Sequence, residues 1–195
     1  MINRVAHYLT RYIMIQGKIE ESEYPVYHYG FVLFIEMFIV ILACILIGCC
    51  GGKRTFLHGM LFLAMFVPLR RYGGGIHMGK FQNCFLLSVI VYGIVIWGEK
   101  YIPRGSGSLY LNYTLICISL YLGPVFTERH KFSDRKKKGY VVKFNVALAV
   151  IAFLNGFFYY TGRSDCITIL AMTLTTNLIS NITKRIQNKK NSMCV

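Results

Sequence analysis

Apolar residues gather in six runs, at about 29–48, 55–69, 84–98, 107–126, 141–160 and 164–183. A helix that crosses a bilayer needs roughly 20 apolar residues. Four runs meet that length, and the second and third are shorter, at about 15 residues each. A re-entrant pair dipping from one face would leave Arg70, Arg71 and Lys80 deep in lipid, which is costly. Two true crossings are the better reading. Ahead of the first run, Ile2, Val5, Leu9, Tyr12, Ile13 and Ile15 follow helical spacing, while Arg4, His7 and Arg11 fall largely elsewhere. That pattern predicts an amphipathic helix lying on a membrane surface. The expected fold is therefore all-α, a polytopic integral membrane protein of about six transmembrane helices with an amphipathic amino-terminal helix. One domain is expected, with an interfacial segment at 1–28, a helical bundle at 29–183 and a basic tail at 184–195.

Composition supports this class. Of the 195 residues 55% are hydrophobic and only 15% charged, and the net charge is +14. Such a basic chain would suit nucleic acid, but its cations lie between apolar runs, so no nucleic-acid partner is expected. With the amino terminus in the cytoplasm and six crossings, 17 of the 22 Lys and Arg residues face inward. That distribution follows the positive-inside rule and places both termini and the 70–80 loop in the cytoplasm. No cleavable signal peptide is expected, because residues 1–20 hold polar groups every few positions. The densest basic segment, "ERHKFSDRKKKGY" at 128–140, reads first as a topology anchor that also touches anionic lipid. Its second reading is a dock for an acidic peptide.

Candidate chemistry concentrates in "RRYGGGIHMGKFQNC", residues 70–84. Near an imidazole, a cysteine can become a thiolate nucleophile. On one straight helix His77 and Cys84 would share a face but lie about 10.5 Å apart along the axis. Direct hydrogen bonding needs roughly 3 Å. Gly73, Gly74 and Gly75 permit a turn closed to other residues, and Gly79 permits another after the histidine. His77 can then fold back over the start of the next helix, where Cys84 would meet exposed amides and the helix dipole. The same glycine amides could line an oxyanion site. By spacing alone, a non-catalytic pair remains open, since one His and one Cys often fall near each other.

Other residues are weaker candidates. Glu36 is the acidic residue well inside an apolar run. It suits either a functional role, orienting His77 or pairing with Arg70 or Arg71, or burial in neutral form. Gln82, Asn83 and Ser88 are further possible orienters. His58 should lie across the bilayer from Cys84. Seven cysteines occur without a C-x-x-C pair, and the inner surface offers no clustered ligand motif. No metal site and no cofactor are expected.

The motif Arg71-x-Gly73-Gly74-Gly75-x-His77, with Cys84 seven residues on and Ser88 four beyond it, resembles AgrB, the accessory gene regulator B peptidases of Gram-positive bacteria. The resemblance covers essentially the whole chain in length and hydropathy, with its specific motif confined to 70–88. Pro124 matches part of a further family motif that this chain does not complete. The resemblance implies a multi-pass cysteine endopeptidase of the bacterial cytoplasmic membrane, acting on an AgrD-like pro-peptide. Cys84 would be the nucleophile and His77 the general base, and a Cys84 thioester would lead to a cyclic thiolactone or lactone signal. An acidic peptide tail could meet Arg70, Arg71, Lys80 or the 129–138 segment. A homodimer is one assembly the sequence allows. A small transporter or exporter, or a membrane scaffold, are the competing classes, and both would tolerate loss of Cys84.

Overall fold

A computed structural model describes residues 2–17, 20–75, 81–102, 107–125 and 134–193. Every regular element among them is helical: α1 (Ile2–Ile15), α2 (Tyr24–Cys50), α3 (Gly52–Gly73), α4 (Phe81–Gly98), α5 (Gly107–Leu122), α6 (Asp134–Tyr160) and α7 (Ser164–Met193). Short 3₁₀ turns, Glu21–Glu23 and Glu99–Tyr101, precede α2 and follow α4. Each apolar run maps to one helix from α2 to α7; most helices extend beyond their run, whereas α5 ends at Leu122, short of the end of the run at 107–126. Hydropathy marks only the lipid-length centre, whereas the backbone ladder continues into polar flanks.

Four segments are long and apolar enough to cross a membrane: Glu21–Cys50, Gln82–Tyr101, Lys137–Tyr160 and Ser164–Lys189. The protein is therefore an all-helical membrane protein. The other two expected crossings fall on α3 and α5. α3 carries Lys53, Arg54, Arg70 and Arg71 at its ends, and α5 has only 16 residues. α2 leaves Leu33, Phe34, Phe38, Leu42 and Leu46 exposed, the outward apolar surface that lipid covers.

α1 lies against α2. Ala6 and Thr10 are fully buried there, and the Thr10 hydroxyl donates to the Ala6 carbonyl at 2.7 Å. Val5, Tyr8, Tyr12 and Ile15 remain exposed, so α1 buries one stripe against α2 and presents a second apolar stripe outward.

Two apolar clusters hold the bundle. One joins Leu69 of α3, Leu115 and Ile116 of α5, Phe144, Leu148 and Ile151 of α6, and Leu170 and Leu174 of α7. The second joins Cys44 of α2, Phe62 and Leu63 of α3, Tyr92, Val95 and Ile96 of α4, and Ile169 of α7. α3 and α7 belong to both, which makes them the spine of the fold. A buried amide network adds direction to this packing. Asn112 Nδ2 donates to Asn155 Oδ1 at 2.5 Å and to the Ile167 carbonyl at 3.0 Å, and Asn155 Nδ2 donates to the Ile151 carbonyl at 3.0 Å. Away from water, such pairs fix which helix faces meet.

Candidate active site

Polar residues occupy both ends of the spine. On α3, Arg54 and Arg70 are 16 residues apart, which is about 24 Å of helix. Cys84 to Glu99, along α4 and its 3₁₀ extension, and Asp165 to Ser180 on α7 are each 15 residues, or about 22 Å. Three helices thus carry polar groups at matching separations. One end holds Arg70, Cys84 and Ser180, and the other holds Arg54, His58, Glu99 and Asp165.

At the first end, each glycine of the triplet has its own reason. A Cβ on Gly73 would lie 2.6 Å from the Phe144 ring, so this residue lets α3 approach α6 closely. Gly74 has φ 78° and ψ −157°, a region essentially reserved for glycine. A Cβ there would also overlap the Val125 carbonyl. The turn is tied down by the Val125 N–H, which donates to the Gly73 carbonyl at 2.8 Å. Gly75, at φ 138°, sits against the Arg70 guanidinium and the Ser180 hydroxyl, leaving no room for a side chain. The triplet therefore ends α3, turns the chain and lays its backbone on a half-buried cation.

Cys84 lies in the first turn of α4 and is half-buried. The Ser88 hydroxyl donates to the Cys84 carbonyl at 2.9 Å. Ser88 thus bonds the backbone of Cys84 within the helix, as serine commonly does at this spacing. Arg70 is half-buried, donates to Ser180 Oγ, and lies within charge–charge range of Cys84. Arg71 is exposed and lies 5.9 Å from the Tyr72 ring. Glu36 is half-buried on α2 and forms no ion pair among the described residues. His77 and Lys80 fall outside the described residues, as do residues 128–133 of the basic segment at 128–140, whose remainder lies in α6.

Beside this end the interior stays polar. Arg185 Nη2 donates to the carbonyls of Leu122 and of Gly123, the latter at 3.0 Å, and so closes the end of α5. Ser119 Oγ, both amide atoms of Asn177 and Asn181 Oδ1 are buried without a hydrogen-bond partner among the described residues.

The opposite end holds a cluster that the sequence reading missed. His58 is 6% exposed and sits between two carboxylates. Its Nδ1 is 3.3 Å from Glu99 Oε2, and its Nε2 is 3.2 Å from Asp165 Oδ2. Arg54 reaches Asp165 at 3.1 Å and Glu99 at 3.8 Å. The thiol of Cys166 completes the group, with ligand atoms of His58, Asp165 and Cys166 all within 4.8 Å of one another. Arg54, His58, Asp165 and Cys166 border a cavity of about 470 Å³, also lined by Lys53 and Arg163. The signal in the sequence was one of placement: Arg54 and His58 are four residues apart on α3, and Glu99 follows one apolar run while Asp165 begins another.

The architecture is that of a polytopic helical membrane protein with a cysteine-bearing polar end. The chain matches the family Accessory gene regulator B, AgrB, over residues 2–190, and it belongs to that family, whose members take part in quorum-sensing peptide processing. No curated protein and no solved structure matches it.

Proposed function

We propose that this protein is a membrane cysteine endopeptidase that cleaves the carboxy-terminal part from an AgrD-like pro-peptide and promotes cyclisation of the remaining signal. The carrying observation is the placement of Cys84 in the first turn of α4, beside the half-buried Arg70 cation and following the Gly73–Gly75 turn. A cation and a helix amino terminus both favour the thiolate form of a cysteine. His77, two residues past the glycine turn in the sequence, is the general base of this reading.

In the reaction, His77 takes the Cys84 proton and the sulfur attacks the carbonyl at the end of the signal sequence. Amides of Gly74 or Gly75 are candidates to receive the developing oxyanion. The C–N bond breaks, the departing amine takes the proton from His77, and the signal remains as a Cys84 thioester. An internal cysteine or serine of the peptide then attacks that thioester. The ring leaves as a thiolactone or lactone, and Cys84 is regenerated. Exchange between two thioesters nearly conserves bond energy, so the acyl group held on Cys84 can pass to a thiolactone ring and not only to water.

In this reading α2 to α7 make six crossings, with both termini and the catalytic loop in the cytoplasm of a bacterium. The basic surface would meet anionic lipid and the acidic peptide tail. Arg70 and Arg71 separate in role. Arg70 is committed to Ser180 and Cys84, so Arg71 is the better dock for an acidic tail.

The test is co-expression with an AgrD-like pro-peptide, read by mass spectrometry for the released tail and an acyl-enzyme. Cys84→Ala should insert normally and lose cleavage by on the order of 10³-fold or more. Normal cleavage by that variant would overturn the mechanism.

A further inference from the structure

We propose that His58, Asp165 and Cys166 form a zinc-type transition-metal site at the end of the bundle opposite Cys84, with Glu99 orienting the histidine. Tetrahedral zinc takes nitrogen and oxygen ligands at about 2.0–2.2 Å and sulfur at about 2.3 Å, which leaves one ligand roughly 3.3–3.8 Å from the next. The three ligand atoms already lie within 4.8 Å of one another. Side-chain shifts of about 1 Å would therefore close the site.

The support around the histidine fits as well. A metal-bound imidazole characteristically donates its other N–H to a carboxylate, which fixes its tautomer and orientation. His58 Nδ1 faces Glu99 Oε2 at 3.3 Å, and Glu99 is only 3% exposed. Nε2, the other nitrogen, points toward Asp165, the proposed second ligand. A fourth position would open to the adjoining cavity.

Charge selects the kind of metal. Asp165 is the one anionic ligand open to an ion that leaves the thiol protonated, and Lys53, Arg54 and Arg163 stand around it. A zinc-type ion takes Cys166 as thiolate, its proton released to solvent, so that the thiolate and the Asp165 carboxylate offset both charges of the ion. A calcium or magnesium ion prefers oxygen ligands and would leave the thiol protonated, giving surplus positive charge beside Lys53 and Arg163. The site therefore favours a thiolate-binding metal.

The experiment uses the full-length protein in detergent, purified through a tag that contains no histidine. After one equivalent of zinc and removal of unbound metal, elemental analysis should find about one zinc per chain. Cobalt(II) in its place should give a near-ultraviolet thiolate-to-metal band and strong visible bands of tetrahedral coordination. Both readouts should survive in Cys84→Ala and in a Cys49→Ser, Cys50→Ser variant. They should vanish in Cys166→Ser and His58→Gln. Glu99→Gln should weaken the metal dissociation constant by about 10- to 100-fold. Absence of retained zinc and of the thiolate band in the unmutated protein overturns the proposal without reference to any variant's folding. So does a band that persists in Cys166→Ser, which would assign the metal to other thiols.

Discussion

Arg70 of α3 donates to the hydroxyl of Ser180 on α7, joining residues 110 positions apart in the chain. The guanidinium is held from below by α7 and covered by Gly75. Its position beside Cys84 is therefore set by tertiary packing and does not depend on a flexible surface arm.

Arg70→Gln should slow alkylation of Cys84 by iodoacetamide at neutral pH and slow processing in parallel, because a nearby cation favours the reactive thiolate. Ser180→Ala should give a smaller loss of the same kind. Arg71→Gln should leave alkylation unchanged but flatten the salt dependence of processing, since exposed charges are screened over about 10 Å at 0.1 M. Equal alkylation rates in Arg70→Gln and the parent would remove Arg70 from the chemistry.

The glycine turn gives a sharper steric test. Gly74→Ala should cost about 1–3 kcal/mol for its backbone conformation, and more for the overlap with the Val125 carbonyl. A lowered melting temperature in detergent and lost processing should appear together. Gly75→Ala should act on the chemistry first, because its methyl group would push the Arg70 side chain away. Undiminished Cys84 alkylation in Gly75→Ala would contradict that contact.

Asn112 and Asn155 should couple energetically. In a double-mutant cycle with alanine, the interaction energy should be about 0.6 kcal/mol, the mean for hydrogen bonds between membrane helices, and no more than about 1.7 kcal/mol. Additive single losses would show that the pair contributes only through packing.

Topology is testable by labelling in a background without native cysteines. A reporter in the 70–80 loop should resist impermeant maleimide applied to intact cells, and a reporter at position 105 should react. Efficient outside labelling of the 70–80 loop would invert the assignment and bring the pro-peptide to the enzyme from the other side.

The helices were legible because each leaves a local record of hydropathy, as in the run at 29–48 inside α2. The triplet Gly73–Gly75 was legible as a turn. Its detailed reasons were not, because Phe144, Val125 and Ser180 lie far along the chain. Arg70 and Arg71 look equivalent in sequence; which side of the last turn faces α7 decides that one is half-buried and the other exposed. The His58 cluster depends on pairings across 107 and 111 residues, which no local pattern encodes. Glu36, the most conspicuous intramembrane carboxylate in the sequence, joins no ion pair among the described residues, while the less conspicuous Glu99 is built into the core.

The matched separations along α3, α4 and α7 have a consequence for the surrounding lipid. Their polar groups stand about 22–24 Å apart, whereas the hydrocarbon core of an ordinary bilayer is about 30 Å thick. The apolar segments that carry these groups are no shorter than that core, at 20 residues for Gln82–Tyr101 and 26 for Ser164–Lys189, so the polar groups sit inside the segment ends. With these helices as crossings, water or lipid headgroups would have to reach inward to meet Cys84 and Ser180, and bilayer thickness would set how far. In the proposed reaction, that depth would govern how a peptide lying on the surface reaches the thiol.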